Sequence, residues 1–485
     1  MVISGLAAAL LAQAEQPWVS WPSIPPLRVL ERRLRGVRVG TESAPDSASI
    51  DELLVNAARD CELGRFGIAA VGLGAAEIDK GNARPDATAV AVARWYAEPI
   101  CALLDASSSL LQVTFRQLPS PSFAVNGDLL DAQPSIDDSP VRHTLVAFVA
   151  IVDDGDAPLS GRCEVELISP PCHGIVQLRG TREGDHRLRV DYLRLGDGEP
   201  RVLRQELVRV SFVRNLRRRI QKLEEIEPRL DLLARSLVEA QLEILRTSLD
   251  EYGGDVEVRC SELLEWTERV ASAADSGGKD ASLAPGSLAP WIGGQIAHGL
   301  RWTGRFALPR ATSPAPVPFL IYLHTLGGTE SECFGALGRG ALVEAALQRG
   351  MGILAPRRTG AVPLEEIVQS ASSLLPVDRE QLWVIGCGAG GAEALLYAKR
   401  QAQVCRGVCL VQSITRVSDP GALVDVPLVL VAVKDSINFL PMTKLSAELE
   451  RKGLRKVHFI EQTRSPFLWD REQMDALLAR LCAQE

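Results

Sequence analysis

The feature that most constrains this chain is the regular alternation of short apolar runs with helical periods from residue 303 to the C-terminus. Strand-like runs are RFALP (305–309), VPFLIYLH (317–324), GMGILAPR (350–357), LWVIG (382–386), GVCLVQS (407–413), VPLVLVAVKD (426–435) and KVHFIEQ (456–462). Helical periods lie between or after them, over 338–349, 363–374, 390–401, 441–452 and 470–482. VPLVLVAVKD is apolar almost throughout, as a strand must be when both sheet faces are covered. Alternation of this kind predicts an α/β fold, a mostly parallel sheet wrapped by helices.

The preceding residues follow other periods. LLQVTF (110–115), HTLVAFVAIV (143–152), CEVELI (163–168), GIVQLRG (174–180), HRLRVDYLRL (186–195) and RVLRQELVRVSF (201–212) are short alternating runs between Asp, Gly and Pro turns. They predict a β-sandwich-like domain over 107–213. A leucine and isoleucine stripe from Leu216 to Leu245 predicts a helical connector over 214–274, and Leu53, Leu54, Ala57, Val90, Ala93 and Ala97 suggest a helical segment over 48–106. Residues 275–302 read as a linker and 15–47 as an irregular lead-in. Arg214, Arg217, Arg218, Arg219 and Lys222 precede Glu224, Glu225 and Glu227, the pattern of a solvated, internally paired helix face.

Charge and composition narrow the functional classes. With 53 basic and 61 acidic residues the net charge is −8, which argues against nucleic acid as a partner. No apolar run reaches the roughly 18 residues that span a bilayer. VISGLAAALL (2–11) followed by Ala12-Gln13-Ala14 is similar to a signal peptide cut after Ala14, which predicts export to the periplasm, cell envelope or medium; the alternative, an N-terminal tail that is not a signal peptide, predicts a cytoplasmic protein. Of the ten cysteines, Cys163 and Cys172 flank a Pro-Pro turn and are the candidates for a local disulfide. No cysteine or histidine cluster has metal spacing, and nothing implies a cofactor.

Residues 303–485 resemble the α/β-hydrolases, in particular the esterase, dienelactone-hydrolase and prolyl-oligopeptidase branches. LIYLHTLGGTESECFGALGRG looks like their oxyanion loop, and VDREQLWVIGCGAGGAEALLYA like their nucleophile elbow. VPLVLVAVKDSINF and VHFIEQTRSPFLW resemble the segments that carry the acid and the histidine. The elbow G-x-S-x-G presents a serine on a sharp strand-to-helix turn. Here it reads Gly386-Cys387-Gly388-Ala389-Gly390, so Gly388 stands at the nucleophile position. The resemblance makes Asp435 the acid. Arg464, Ser465 and Pro466 occupy the place of the histidine, and none can act as a neutral general base. His324 falls in the oxyanion loop, and Thr325 follows it where the family has glycine.

Two of three triad members are therefore missing, and the resemblance implies a hydrolase fold without triad catalysis that binds a small molecule or a protein. A ligand held there would meet Ala389, Thr325, Leu326 and Arg464, the last suited to a carboxylate. The alternative is a hydrolase that uses another nucleophile. Cys387, beside a helix N-terminus and with His324 as base, is one candidate, and it requires an exposed, ionisable thiol. Ser413 and Ser436 are two more.

Overall fold

A computed structural model describes residues 95–117, 144–153, 157–178, 182–195, 201–249, 259–276, 291–296, 300–309, 316–324, 330–336, 340–357, 362–413, 420–434, 438–463 and 469–483, with residues 92, 415 and 417. The chain divides into two compact units, over residues 29–279 and 280–485.

The first unit contains strands β1 (Trp95–Pro99), β2 (Leu103–Asp105), β3 (Leu110–Gln117), β4 (Thr144–Val152), β5 (Cys163–Glu166), β6 (Cys172–Gln177), β7 (Gly184–Leu195) and β8 (Arg201–Val213). They form a three-stranded sheet, β1-β3-β6, and a five-stranded sheet, β2-β8-β7-β4-β5. Alternation decides what they bury. In β7, Leu188, Val190 and Tyr192 are buried while the intervening Arg187, Arg189 and Asp191 are only partly so. Trp95, Val113, Phe115 and Val176 of one sheet share a core with Val149, Leu188, Val190, Val208 and Phe212 of the other. The unit is thus a β-sandwich, followed by helices α1 (Leu216–Ile226), α2 (Leu232–Leu249) and α3 (Cys260–Asp275).

The inward face of β8 also carries two charges. Arg204 and Glu206 are 1% and 4% exposed. Glu206 Oε2 accepts from Arg204 Nη2 (3.2 Å), the Tyr192 hydroxyl (2.7 Å) and the Ala97 amide (3.1 Å). The Arg204 guanidinium also donates to the carbonyls of Val92 and Trp95 and lies over the Tyr192 ring. Burying a pair is tolerable only when the remaining lone pairs and protons are used in this way.

Three expectations need correction. The helical segment over 48–106 fails where it is described beyond residue 94, because β1 and β2 are strands. Ala97 donates across the sandwich to Glu206, a tertiary bond that local apolar spacing does not reveal. The linker over 275–302 is also too long, since β9 (Trp291–Gln295) and the start of β10 (Arg301–Ala307) lie within it. Two adjacent glycines in WIGGQ hid β9 from a propensity reading. Finally, Cys163 and Cys172 are free thiols. The Cys163 sulfur lies beside Gly174, two residues along β6 from Cys172, and the Cys172 thiol donates to the Ser169 carbonyl at 3.1 Å. Residues 1–47 and 196–200 lie outside the described residues.

The second unit continues with β11 (Val317–Leu323), α4 (Ala341–Gln348), β12 (Gly352–Arg357), α5 (Leu364–Leu374), β13 (Val377–Cys387), α6 (Gly390–Arg400), β14 (Cys405–Val411), β15 (Leu428–Val433), α7 (Phe439–Arg451), β16 (Val457–Gln462) and α8 (Arg471–Cys482). The eight strands run in the order β16-β15-β14-β13-β11-β12-β10-β9. Strands β11 to β16 pair in parallel, and β10 is antiparallel to both β12 and β9. This is the expected α/β-hydrolase-like, mostly parallel sheet. All six residues of β15 are buried, which explains the uninterrupted apolar run. One core joins Leu320, Tyr322, Trp383, Ile385, Cys409, Val429 and Val431 of the sheet to Leu342 of α4 and Leu478 of α8.

Candidate functional site

The strand order itself points to a site. From β11 the chain moves outward to β12, then returns past β11 to β13 and continues the other way. The order reverses between β11 and β13. In open α/β sheets a ligand crevice forms beyond the carboxyl ends of the strands at such a reversal. Those ends are His324, which follows β11, and Gly388, which follows β13.

Close packing shapes this crest. A Cβ on Gly390 would lie 2.3 Å from the Leu323 carbonyl oxygen and 2.8 Å from that of His324, so only glycine lets α6 start against the end of β11. Gly388 has φ +51°, the left-handed region that turns strand into helix within two residues. Its amide donates to the Val411 carbonyl at 2.9 Å, and its carbonyl accepts from Gly391 at 3.2 Å. Ala389 follows at the N-cap of α6 without a side-chain cap. The chain therefore turns from strand to helix at Gly388, a residue without a side chain. His324 is half-buried; Thr325, Leu326, Asp435, Ser436 and Arg464 lie outside the described residues.

Cys387 does not meet the requirement for a thiol nucleophile. It continues the inward side of β13 set by Trp383 and Ile385, and it is 5% exposed. Burial first, then the charge of Glu332, pushes its thiol well above the ordinary range, while a hydrogen bond with Tyr322 opposes this only in part. A thiolate is thereby disfavoured, the reverse of what nucleophilic catalysis needs. Ser413 is 0% exposed, its hydroxyl packed against Gly391.

A polar layer that no local sequence period announces lies beneath the crest. The Tyr322 hydroxyl donates to Glu332, which is 1% exposed. Burial, then neighbouring Cys387 and Glu332, hold that hydroxyl above its usual range. Glu330 is buried too and accepts from the Trp291 indole at 3.0 Å. The Arg305 guanidinium lies 4.7 Å from the ring centroids of both Trp291 and Phe334. This polar layer ties residues 330–334 to β9, β10, β11 and β13. In sequence, Glu330-Ser331-Glu332 reads as solvated loop, because no local period announces a buried carboxylate. Only the tyrosine on the inward side of β11 hinted at a polar partner.

Among the described residues no group of three or more His, Cys, Asp or Glu side chains could hold a metal, and no helix is long and apolar enough to cross a membrane. No protein-family model and no curated protein matches the chain. Several solved structures resemble part of it. The S-formylglutathione hydrolase FrmB of Staphylococcus aureus is 14% identical with TM-score 0.35, covering 41% of this chain and 99% of its own. An S-formylglutathione hydrolase from Agrobacterium tumefaciens is 13% identical with TM-score 0.33, covering 40% and 95%. An esterase domain from a Rhodothermus marinus protein is 16% identical with TM-score 0.29, covering 40% and 98%. Identities this low bear on fold alone.

Proposed function

We propose that this chain carries a hydrolase-like domain without triad catalysis, which binds a small-molecule or protein ligand at the crest between β11 and β13. One observation carries the reading: glycine occupies the apex of the strand-to-helix turn, with φ +51°. Glycine offers no oxygen or sulfur to an acyl group, so no covalent intermediate can form there. The sequence supports the same conclusion at the base, with Arg464, Ser465 and Pro466 where the resemblance requires histidine. Binding elements remain. The start of α6 has no side-chain cap, although the Gly391 and Ala392 amides already donate to the Gly388 and Ala389 carbonyls, and a helix N-terminus attracts an anion. We read residues 1–14 as an export signal, and on that reading the ligand is met in the cell envelope or outside it.

The test is hydrolysis of a panel of chromogenic acyl esters by the purified full chain, beside Cys387→Ala and Ser413→Ala. The expected result is no turnover above a residual of about 10³–10⁴-fold over water, the level left to binding and an oxyanion hole alone. Faster turnover that disappears in either variant would identify a working nucleophile and overturn the reading. Faster turnover in all three proteins would overturn it as well.

A further inference from the structure

We propose that Gln412 is a positioning residue that clamps the chain on both sides of residues 435–437, the stretch in which the resemblance puts the acid, Asp435. Gln412 follows the last residue of β14 and is 6% exposed. Its φ is +50°, and Asn215 is the one other non-glycine residue with positive φ among the described residues. Glycine would take this conformation without strain, so a glutamine here points to a use for its side chain. The bonds show that use. The Gln412 amide continues the ladder to the Val431 carbonyl at 2.9 Å. Its side-chain Oε1 accepts from the Val433 amide at 3.2 Å, holding the chain as it leaves β15. Its own carbonyl turns out of the ladder and accepts from Asn438 Nδ2 at 2.8 Å, holding the chain as it enters α7. The amide of Lys434 is fixed from the other side by the Gln462 carbonyl at 2.7 Å.

The clamp adjoins the elbow. Val411, the residue before Gln412, accepts from the Gly388 amide. One left-handed residue thus links the apex of the turn to both flanks of the 435–437 stretch. The clamp stands on this geometry. That it serves a binding crest rests on the function proposed above.

Hydrogen exchange of the full chain, read by mass spectrometry on peptides spanning 431–440, which include the Val433 amide, tests the clamp. Both variants remove the side-chain acceptor of that amide and keep the backbone carbonyl that accepts from Asn438; Gln412→Met keeps the strained backbone and Gln412→Gly relieves it. Exchange in these peptides is expected to accelerate at least tenfold in both variants. The midpoint of thermal unfolding is expected to fall for Gln412→Met and to stay level or rise for Gln412→Gly. Wild-type exchange at 431–440 in Gln412→Gly would overturn the proposal. So would acceleration spread evenly over peptides from β13 to β16, which would mark a general structural role. The Gln412→Gly arm decides the matter even if Gln412→Met does not fold. Neither exchange result depends on ester turnover, so failure of the clamp and failure of the functional reading are separable.

Discussion

Removing one charge of the buried Arg204–Glu206 pair will cost far more than removing both. In Glu206→Leu the Arg204 guanidinium keeps its charge at 1% exposure and loses its carboxylate. The Tyr192 hydroxyl and the Ala97 amide lose their acceptor in the same step. Breaking a buried pair from one side costs about 3–5 kcal/mol, since it strands a charge in low dielectric. Each stranded neutral donor is worth about 1–3 kcal/mol by itself, though the terms overlap and do not add in full. A loss of at least about 3 kcal/mol follows, or more than a hundredfold at roughly 1.4 kcal/mol per decade. In Arg204→Met/Glu206→Leu no charge remains, and much of the loss returns. The assay is native-state hydrogen exchange of the full chain on peptides covering 184–195 and 201–213, which reads local opening in this sheet. The expected order is wild type slowest, the double variant intermediate and Glu206→Leu fastest. A single variant less than tenfold faster than wild type would refute the reasoning. So would a double variant that exchanges at least as fast as Glu206→Leu.

Other expectations follow from the second unit. Gly390→Ala should cost about 3 kcal/mol or more in chemical denaturation, because the new Cβ would meet the Leu323 carbonyl oxygen at 2.3 Å and backbone must shift. A loss below 1 kcal/mol would mean that α6 can slide. Tyr322→Phe should destabilise by about 1–3 kcal/mol by removing the donor to Glu332, and limited proteolysis near residues 330–336 should accelerate. Stability should fall as pH rises above about 9. Burial raises the folded-state values of Cys333, Cys387 and Cys409 and pushes Cys405 up to about 12, so the unfolded chain releases these protons first. Each such thiol steepens the fall by at most about 1.4 kcal/mol per pH unit, and Cys405→Ala should flatten the slope measured from pH 9 to 11. In the native protein at neutral pH, Cys387 should resist a thiol-specific reagent while denaturant exposes it; rapid native modification would contradict its burial.

The parallel sheet was legible because both-face burial leaves a direct trace, as in VPLVLVAVKD. The sandwich was legible from alternation, as in Leu188, Val190 and Tyr192. Edge elements were not: Trp291–Gln295 carries two glycines, and β1 is fixed by its pairing with β3 and by the Ala97 bond to Glu206, more than a hundred residues away. At the crest, the left-handed φ of Gly388 could be anticipated from a glycine between a strand and a helix. The layer beneath it was invisible, since a buried carboxylate such as Glu332 is specified by partners distant in the sequence. Gln412 was equally hidden, because a strand-end glutamine shows neither its dihedral angle nor its cross-strand bond.

Gly388, which the proposed function puts at the apex of an elbow, has a genetic corollary. Two of the four glycine codons become serine codons by a single base change. Such a change at position 388 would set a hydroxyl on the turn, with the backbone already close to the required form. On the proposed reading the 464–466 stretch offers no imidazole to take its proton, which leaves the half-buried His324 as the histidine of this crest. Selection on hydrolysis would register that step only through His324, while selection on the proposed ligand would register the added side chain directly.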